Sequence, residues 1–174
     1  DVREMVFMVH KPLGTDDDRW LYLPALDVVK RIAASDERTS FVGSHFFYED
    51  ASGRRIAEET HGLTKTTDNY YVLKNTPKEP DTVEFDSYTI YVHKGTFLPV
   101  KIEFEQGGNV YRTAETLEVK EIQGYPTVVK ARMSDSNIGG ETVMKYSDVE
   151  YDIGLPEDIF TERYLRKAPR QYLK

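Results

Sequence analysis

The feature that most constrains this chain is the alternation of apolar and polar residues along much of its length. Between Leu98 and Glu105, Val100, Ile102 and Phe104 alternate with charged side chains. Successive side chains of a strand point to opposite faces, so this pattern predicts a strand with one apolar and one solvated face.

Similar segments elsewhere predict a mainly β, antiparallel chain, since short turn sequences such as Gly107-Gly108 separate neighbouring segments. The predicted strands are Glu4 to Val9, Arg19 to Leu23, Val28 to Ala33, His61 to Thr66, Tyr70 to Thr76, Phe85 to Val92, Leu98 to Glu105, Val110 to Val119, Thr127 to Met133 and Thr142 to Tyr151.

Two segments depart from the alternation. Ser40 to Arg54 has clustered aromatic residues and predicts a short helix or a structured loop. Pro156 to Leu165 begins with proline and an acidic first turn, which predicts a short helix. Two short helices cannot cover one sheet of about ten strands. The sheet therefore curls into a partial barrel, packs against a second copy or an absent segment, or holds an apolar ligand.

Composition excludes several classes of protein. The 174 residues carry a net charge of −7 and include no cysteine, which excludes disulfides and thiol chemistry. An acidic chain without a basic block is a poor partner for nucleic acid or for an anionic membrane surface. No apolar run reaches the ~18 residues of a membrane span, and the first residues lack the pattern of a secretory signal.

No pattern of catalytic or metal-binding residues is recognisable. There is no Gly-x-Ser-x-Gly sequence or phosphate-binding loop, and the acidic run Asp16 to Asp18 lacks the glycine and distal glutamate of a calcium loop. The histidines have no ligand spacing; they are His10, His45, His61 and His93. The sequence therefore predicts no enzyme, metal or cofactor.

Several blocks of sequence resemble a known family, the LolA-like outer-membrane lipoprotein-sorting proteins of Gram-negative bacteria. The resemblance covers nearly the whole chain, and its first and last blocks are specific. The blocks are Asp16 to Leu26, Val29 to Asp36, Phe41 to Ser44, Tyr48 to Asp50, Thr76 to Lys78, Leu98 to Lys101, Tyr151 to Pro156 and Phe160 to Arg166.

The resemblance implies a half-open antiparallel β-barrel, with short helices as a lid over an apolar cavity. It also implies a periplasmic carrier that moves lipoprotein acyl chains or lipid from an inner-membrane donor to an outer-membrane acceptor. Family members usually begin with a long helix and further strands, so residues 1 to 174 are predicted to be the later portion of a single domain. An exposed edge at Glu4 to Val9 would then favour a homodimer or strand exchange.

The carrier hypothesis assigns two groups of residues. The lid consists of Phe41, Val42, Phe46, Phe47 and Tyr48, and protonation of His45 beside it is predicted to loosen it. The wall of the lipid cavity consists of Trp20, Tyr22, Tyr88, Ile90, Val100, Ile102, Phe104, Val129 and Met133. Three alternatives stay open: the same residues form an ordinary closed core, the protein is an interaction accessory of an envelope export system, or it binds a small hydrophobic ligand.

Overall fold

The computed structural model describes residues 3–12, 14–167, 169 and 171–172. Their contacts divide the chain into two compact units. Unit 1 comprises the described residues of 1–42, 47–52 and 150–174, and unit 2 comprises residues 43–46 and 53–149.

Unit 1 is a three-stranded antiparallel sheet with two short helices. The strands, in the order β1-β2-β3, are β1 (Val6–His10), β2 (Asp18–Leu23) and β3 (Val28–Ile32), and the helices are α1 (Tyr48–Ser52) and α2 (Glu162–Arg166). Leu21, Ile32 and Tyr48 are buried together, and Phe7 and Phe41 pack against them. Because Phe7 pairs with Leu21 across the sheet, the two side chains lie on the same face, which carries this core.

A buried ion network fixes α1 relative to β2 within unit 1. Arg19 is 6% exposed, and its guanidinium lies 3.0 Å from Asp17 and 2.8 Å from Glu37. Its Nε also donates to the Ser52 hydroxyl at 2.9 Å. Three groups from separate parts of unit 1 therefore meet at one arginine, whose planar set of donors suits several oxygen acceptors at once.

Unit 2 is a seven-stranded antiparallel meander in which each strand pairs with the next along the chain. The strands are β4 (Glu59–Thr66), β5 (Tyr70–Pro77), β6 (Ser87–His93), β7 (Pro99–Gln106), β8 (Asn109–Ile122), β9 (Tyr125–Asp135) and β10 (Glu141–Lys145). One face of this sheet is polar. There, the Tyr91 hydroxyl donates to Glu103 at 2.9 Å, and Arg132 pairs with Glu115 on the neighbouring strand.

The structure confirms the predicted mainly β, antiparallel fold class. It also corrects three details. The strands form two sheets rather than one, because residues 33–58 hold turns and α1 instead of a pairing strand. The last strand ends at Lys145 rather than Tyr151. The predicted helix Pro156 to Leu165 is a 3-10 turn followed by α2, since Thr161 is extended between them.

The helices are short. In the ranges that the structure describes, no helix has the length and apolar character needed to cross a membrane.

His61 gives unit 2 a pH-dependent contact. Its ring nitrogens lie 2.6 Å from Asn75 Oδ1 and 2.8 Å from the Ile56 carbonyl oxygen. Both atoms are acceptors, so the imidazolium, which donates from both nitrogens, fits better than the neutral ring. The bond to Asn75, followed by the bond to Ile56, raises the pKa of His61 above its ordinary value.

We expect this contact to stabilise the fold fully at acidic pH and to weaken as pH rises. A raised pKa in the folded state means that the stabilisation is present below about pH 6.5 and is lost as pH passes through the folded pKa. The thermal midpoint of the natural protein should therefore fall more between pH 6 and pH 8 than that of His61→Gln. Parallel pH profiles of the two proteins would contradict this prediction.

Candidate binding site

An apolar row crosses five strands of the unit 2 sheet. Residues that pair directly across an antiparallel sheet share a face, and here each member of the row pairs with the next. Met133 is buried, and the other members are partly buried. The row consists of Leu73, Ile90, Ile102, Ala114 and Met133, and the face that carries it is called the apolar face below.

A second row lies on the same face, two residues along each strand. It is buried and consists of Asn75, Tyr88, Phe104, Arg112 and Asp135. Phe85 packs edge-on against Tyr88 and Phe104, with ring centroids 5.5 and 5.4 Å away. The apolar face thus has a closed end, filled by aromatic rings, and a less covered end formed by the apolar row.

Arg54 helps to cover the closed end. Its guanidinium lies 5.1 Å from the Phe85 ring centre and 5.9 Å from that of Tyr88, and it pairs with the buried Glu59 at 2.6 Å. Burial, and secondarily the Glu59 carboxylate, raises the pKa of Tyr88 above its ordinary value, so the phenol stays neutral at physiological pH. A neutral phenol and a paired arginine leave no uncompensated charge there.

The structure places most of the predicted wall residues in unit 2. Tyr88, Ile90, Ile102, Phe104 and Met133 belong to the two rows of the apolar face. Val129 is buried on β9, as Met133 is, and Val100 lies at a bulge between β6 and β7.

Trp20 and Tyr22 belong to unit 1. The Arg31 guanidinium lies 5.6 Å from the Trp20 ring centre, and the Tyr22 hydroxyl donates to Asp27 at 3.2 Å. Their assignment to a lipid cavity stays a prediction.

The predicted lid is divided between the units. Phe41, Val42 and Tyr48 pack in the core of unit 1, and the Phe41 and Tyr48 rings meet edge-on at 5.4 Å. Phe47, also in unit 1, donates its N–H to the Asp50 carboxylate at 2.6 Å. Phe46 belongs to unit 2 and is 5% exposed.

Polar contacts hold the short segment Gly43–Phe46, called the anchored segment below, on the unit 2 strands. The His45 backbone N–H donates to Thr142 Oγ1 at 3.1 Å, and the His45 ring nitrogens lie 2.8 Å from that oxygen and 3.0 Å from the Gly139 carbonyl oxygen. Arg112 donates to the His45 carbonyl oxygen at 3.0 Å. These contacts, with Phe46 buried, attach the anchored segment to unit 2.

Sequence reasoning missed Arg112. This residue is 1% exposed, and its guanidinium lies 5.2 Å from the Phe104 ring centre. An arginine in a strand normally predicts the solvated face. The available signal was the two-residue period of β8, in which Arg112 shares a face with Ala114 and therefore with the apolar row.

The apolar row offers a ligand apolar contact. In the part of the chain that the structure describes, no group of three or more histidine and acidic side chains could hold a metal ion. The apolar row has no hydrogen-bonding side chain, so its contribution to a ligand is apolar contact area.

Comparisons with solved structures place this fold among known proteins. The chain is 28% identical to a DUF1329 family protein from Desulfovibrio piger, with a TM-score of 0.81, over 95% of this chain and 72% of that one. It is also 28% identical to a proposed outer membrane lipoprotein-sorting domain from Vibrio parahaemolyticus, with a TM-score of 0.79, over 94% and 72% of the two chains.

A more distant likeness concerns the fold alone. A LolA superfamily protein from Nitrosomonas europaea is 24% identical, with a TM-score of 0.60, over 84% of this chain and 67% of that one. No curated protein matches the sequence. A family model described as an uncharacterized protein matches residues 1–167. The chain therefore belongs to the family of uncharacterized proteins that this model describes, and its similarity to a DUF1329 family protein and to a lipoprotein-sorting domain agrees with the LolA-like resemblance in its sequence.

Proposed function

We propose that this protein is a periplasmic, non-catalytic carrier that holds the acyl chains of lipoproteins, or of free lipid, on the apolar face of unit 2. The observation that carries the proposal is the uncharged apolar row from Leu73 to Met133, left partly uncovered beside a closed aromatic end. The likeness to the Vibrio parahaemolyticus lipoprotein-sorting domain supports the same class of cargo.

The dimensions of the row fit this cargo. Five neighbouring strands are separated by four spacings of ~4.8 Å, so the row extends about 19 Å across the sheet. One acyl chain fills about half of a ~30 Å bilayer core, or about 15 Å. Each buried methylene contributes ~0.8 kcal/mol, so the row can hold a chain without any polar contact.

The anchored segment would act as the movable part of the lid. Its release breaks the contacts of His45 with Arg112 and Thr142 and exposes the surface that Phe46 covers. An acyl chain that replaces Phe46 restores the lost apolar contact. Loading then needs the carrier to bind the acyl chain more tightly than the inner-membrane donor does. Delivery needs the outer-membrane acceptor to bind it more tightly than the carrier does.

A charge placed in the apolar row tests the proposal. We expect Ile102→Asp to weaken the binding of a diacylated lipopeptide at least tenfold, because an ionised carboxylate beside a buried acyl chain loses hydration. Binding is measured by displacement of a fluorescent 16-carbon fatty acid. The matched control is Thr89→Asp, which puts the same side chain on the polar face, opposite Glu103 and Lys74.

The control separates loss of binding from loss of folding. Both variants should keep the cooperative thermal transition, and Thr89→Asp should bind the lipopeptide as the natural protein does. Equal affinity in Ile102→Asp and Thr89→Asp would remove the apolar row from the function. An absence of acyl binding by the natural protein would favour a protein-interaction accessory instead.

A further inference from the structure

A second apolar site lies wholly within unit 1. A cavity of about 340 Å³ separates β1 from the C-terminal segment. Its walls are almost entirely aliphatic and aromatic and include Val6, Met8, Leu155, Ile159, Phe160 and Tyr164. None of the predicted wall or lid residues lines this cavity.

The elements of unit 1 explain why the cavity is apolar. Val6 and Met8 pair with Tyr22 and Trp20, so they lie on the face of the sheet opposite the Leu21 core. Helix α2 packs against all three strands and buries Leu165. The chain before α2 adds half-exposed apolar residues at positions 153 and 155, and Pro169 and Tyr172 after α2 complete the walls.

The contents of such a cavity follow from its walls. The pocket is open to solvent, but its walls offer water few of the two to four polar partners that an ordered water needs, so an apolar guest that displaces this water gains apolar contact. The volume equals that of about eleven water molecules at ~30 Å³ each. A methylene group is of similar size, so one alkyl chain of about ten carbons would fill it.

A cation lies beside the cavity wall. The Arg163 guanidinium is 5.9 Å from the ring centre of Tyr164. In the described ranges, no carboxylate lies within ion-pair distance of Arg163. The neighbouring Glu162 pairs with Arg166 at 3.6 Å, and Glu157 lies 3.5 Å from His10. An anionic headgroup would therefore find Arg163 available when its chain enters the cavity.

We propose that this cavity is a binding site for a single-chain fatty acid, with the alkyl chain inside and the carboxylate paired with Arg163. The site is separate from the apolar face of unit 2 and would bind a smaller ligand than a diacylated lipoprotein. Affinity should rise about fourfold for each added methylene, up to about ten carbons, at ~0.8 kcal/mol per methylene. Longer chains should gain little more.

Methionine methyl resonances test this site and the apolar face in one experiment. The chain has four methionines; Met8 lines the cavity of unit 1, and Met133 belongs to the apolar row of unit 2. The full chain, labelled with ¹³C at the methionine methyl groups, is titrated with hexanoate, decanoate, hexadecanoate and decanol. We expect decanoate to shift the Met8 resonance until it saturates. The dissociation constant for decanoate should be lower than that for hexanoate.

Two variants define the expected contacts. Leu155→Trp fills the cavity at a position that is 42% exposed and should weaken decanoate binding at least tenfold. Arg163→Gln should weaken decanoate three- to tenfold and leave decanol unchanged. Ile102→Asp, in unit 2, should leave the Met8 response intact.

The outcomes separate this site from the proposed carrier function. A Met8 resonance that does not move at millimolar decanoate would overturn the inference, whatever the lipopeptide does at Met133. A decanoate response at Met133 alone would also overturn it, yet would agree with acyl binding on the apolar face. A Met8 response without any lipopeptide binding would support the cavity and contradict the carrier.

Discussion

Replacing Phe104 with alanine should lower the free energy of unfolding of this protein by about 3–5 kcal/mol. Phe104 is 4% exposed at the centre of the closed aromatic end, with Phe85 and Tyr88 each 5.4 Å away between ring centres. The Arg112 guanidinium lies 5.2 Å from the centre of the Phe104 ring. Alanine would leave a cavity that neighbours on fixed strands cannot close, so the lost contacts are not recovered.

Urea unfolding, followed by circular dichroism, measures this loss. Val143→Ala in the same sheet is the control, because Val143 is 42% exposed and its truncation should change stability by no more than about 0.5 kcal/mol. Equal effects at the two positions would mean that the aromatic cluster is not the core of unit 2. The volume lost at Phe104 should also raise the rate of hydrogen exchange at the backbone amide of the neighbouring Tyr88.

The strands of unit 2 could be predicted from sequence because each carries its own two-residue period. Val100, Ile102 and Phe104 alternate with charges that pair on the polar face, as Lys101 and Glu103 do at 2.5 Å. Such a strand is specified by local sequence alone. The separation into two sheets was not predictable in this way, because strand pairing between distant segments leaves no local pattern.

The candidate site was predictable only where its residues are apolar. Ile90, Ile102 and Met133 follow the alternation, and register then places them in one row. Arg112 holds the anchored segment through a backbone carbonyl, and its local sequence looks like that of a solvated strand. The unit 1 cavity joins β1 to residues more than 140 positions later, a distance that no periodicity spans.

The second large effect concerns the buried ion network of unit 1. We expect Arg19→Leu to lower the free energy of unfolding by about 3–5 kcal/mol, because it leaves buried carboxylates without their main cation. The Asp17 side chain is only 3% exposed, and Glu37 is 14% exposed. Thermal and urea unfolding measure the loss. The control, Arg31→Leu, breaks a pair with Asp18 at a site 63% exposed, where about 0–1 kcal/mol is expected.

A double variant identifies the cause of the loss. If unpaired charge dominates, Asp17→Asn in the Arg19→Leu background should recover part of the stability, since the neutral amide is cheaper to bury than a carboxylate. If the lost contacts of the arginine chain dominate, the same change should recover nothing or destabilise further, because Lys11 also pairs with Asp17 at 3.3 Å. Recovery would show that Arg19 stabilises unit 1 chiefly by neutralising carboxylates that the fold buries beside α1.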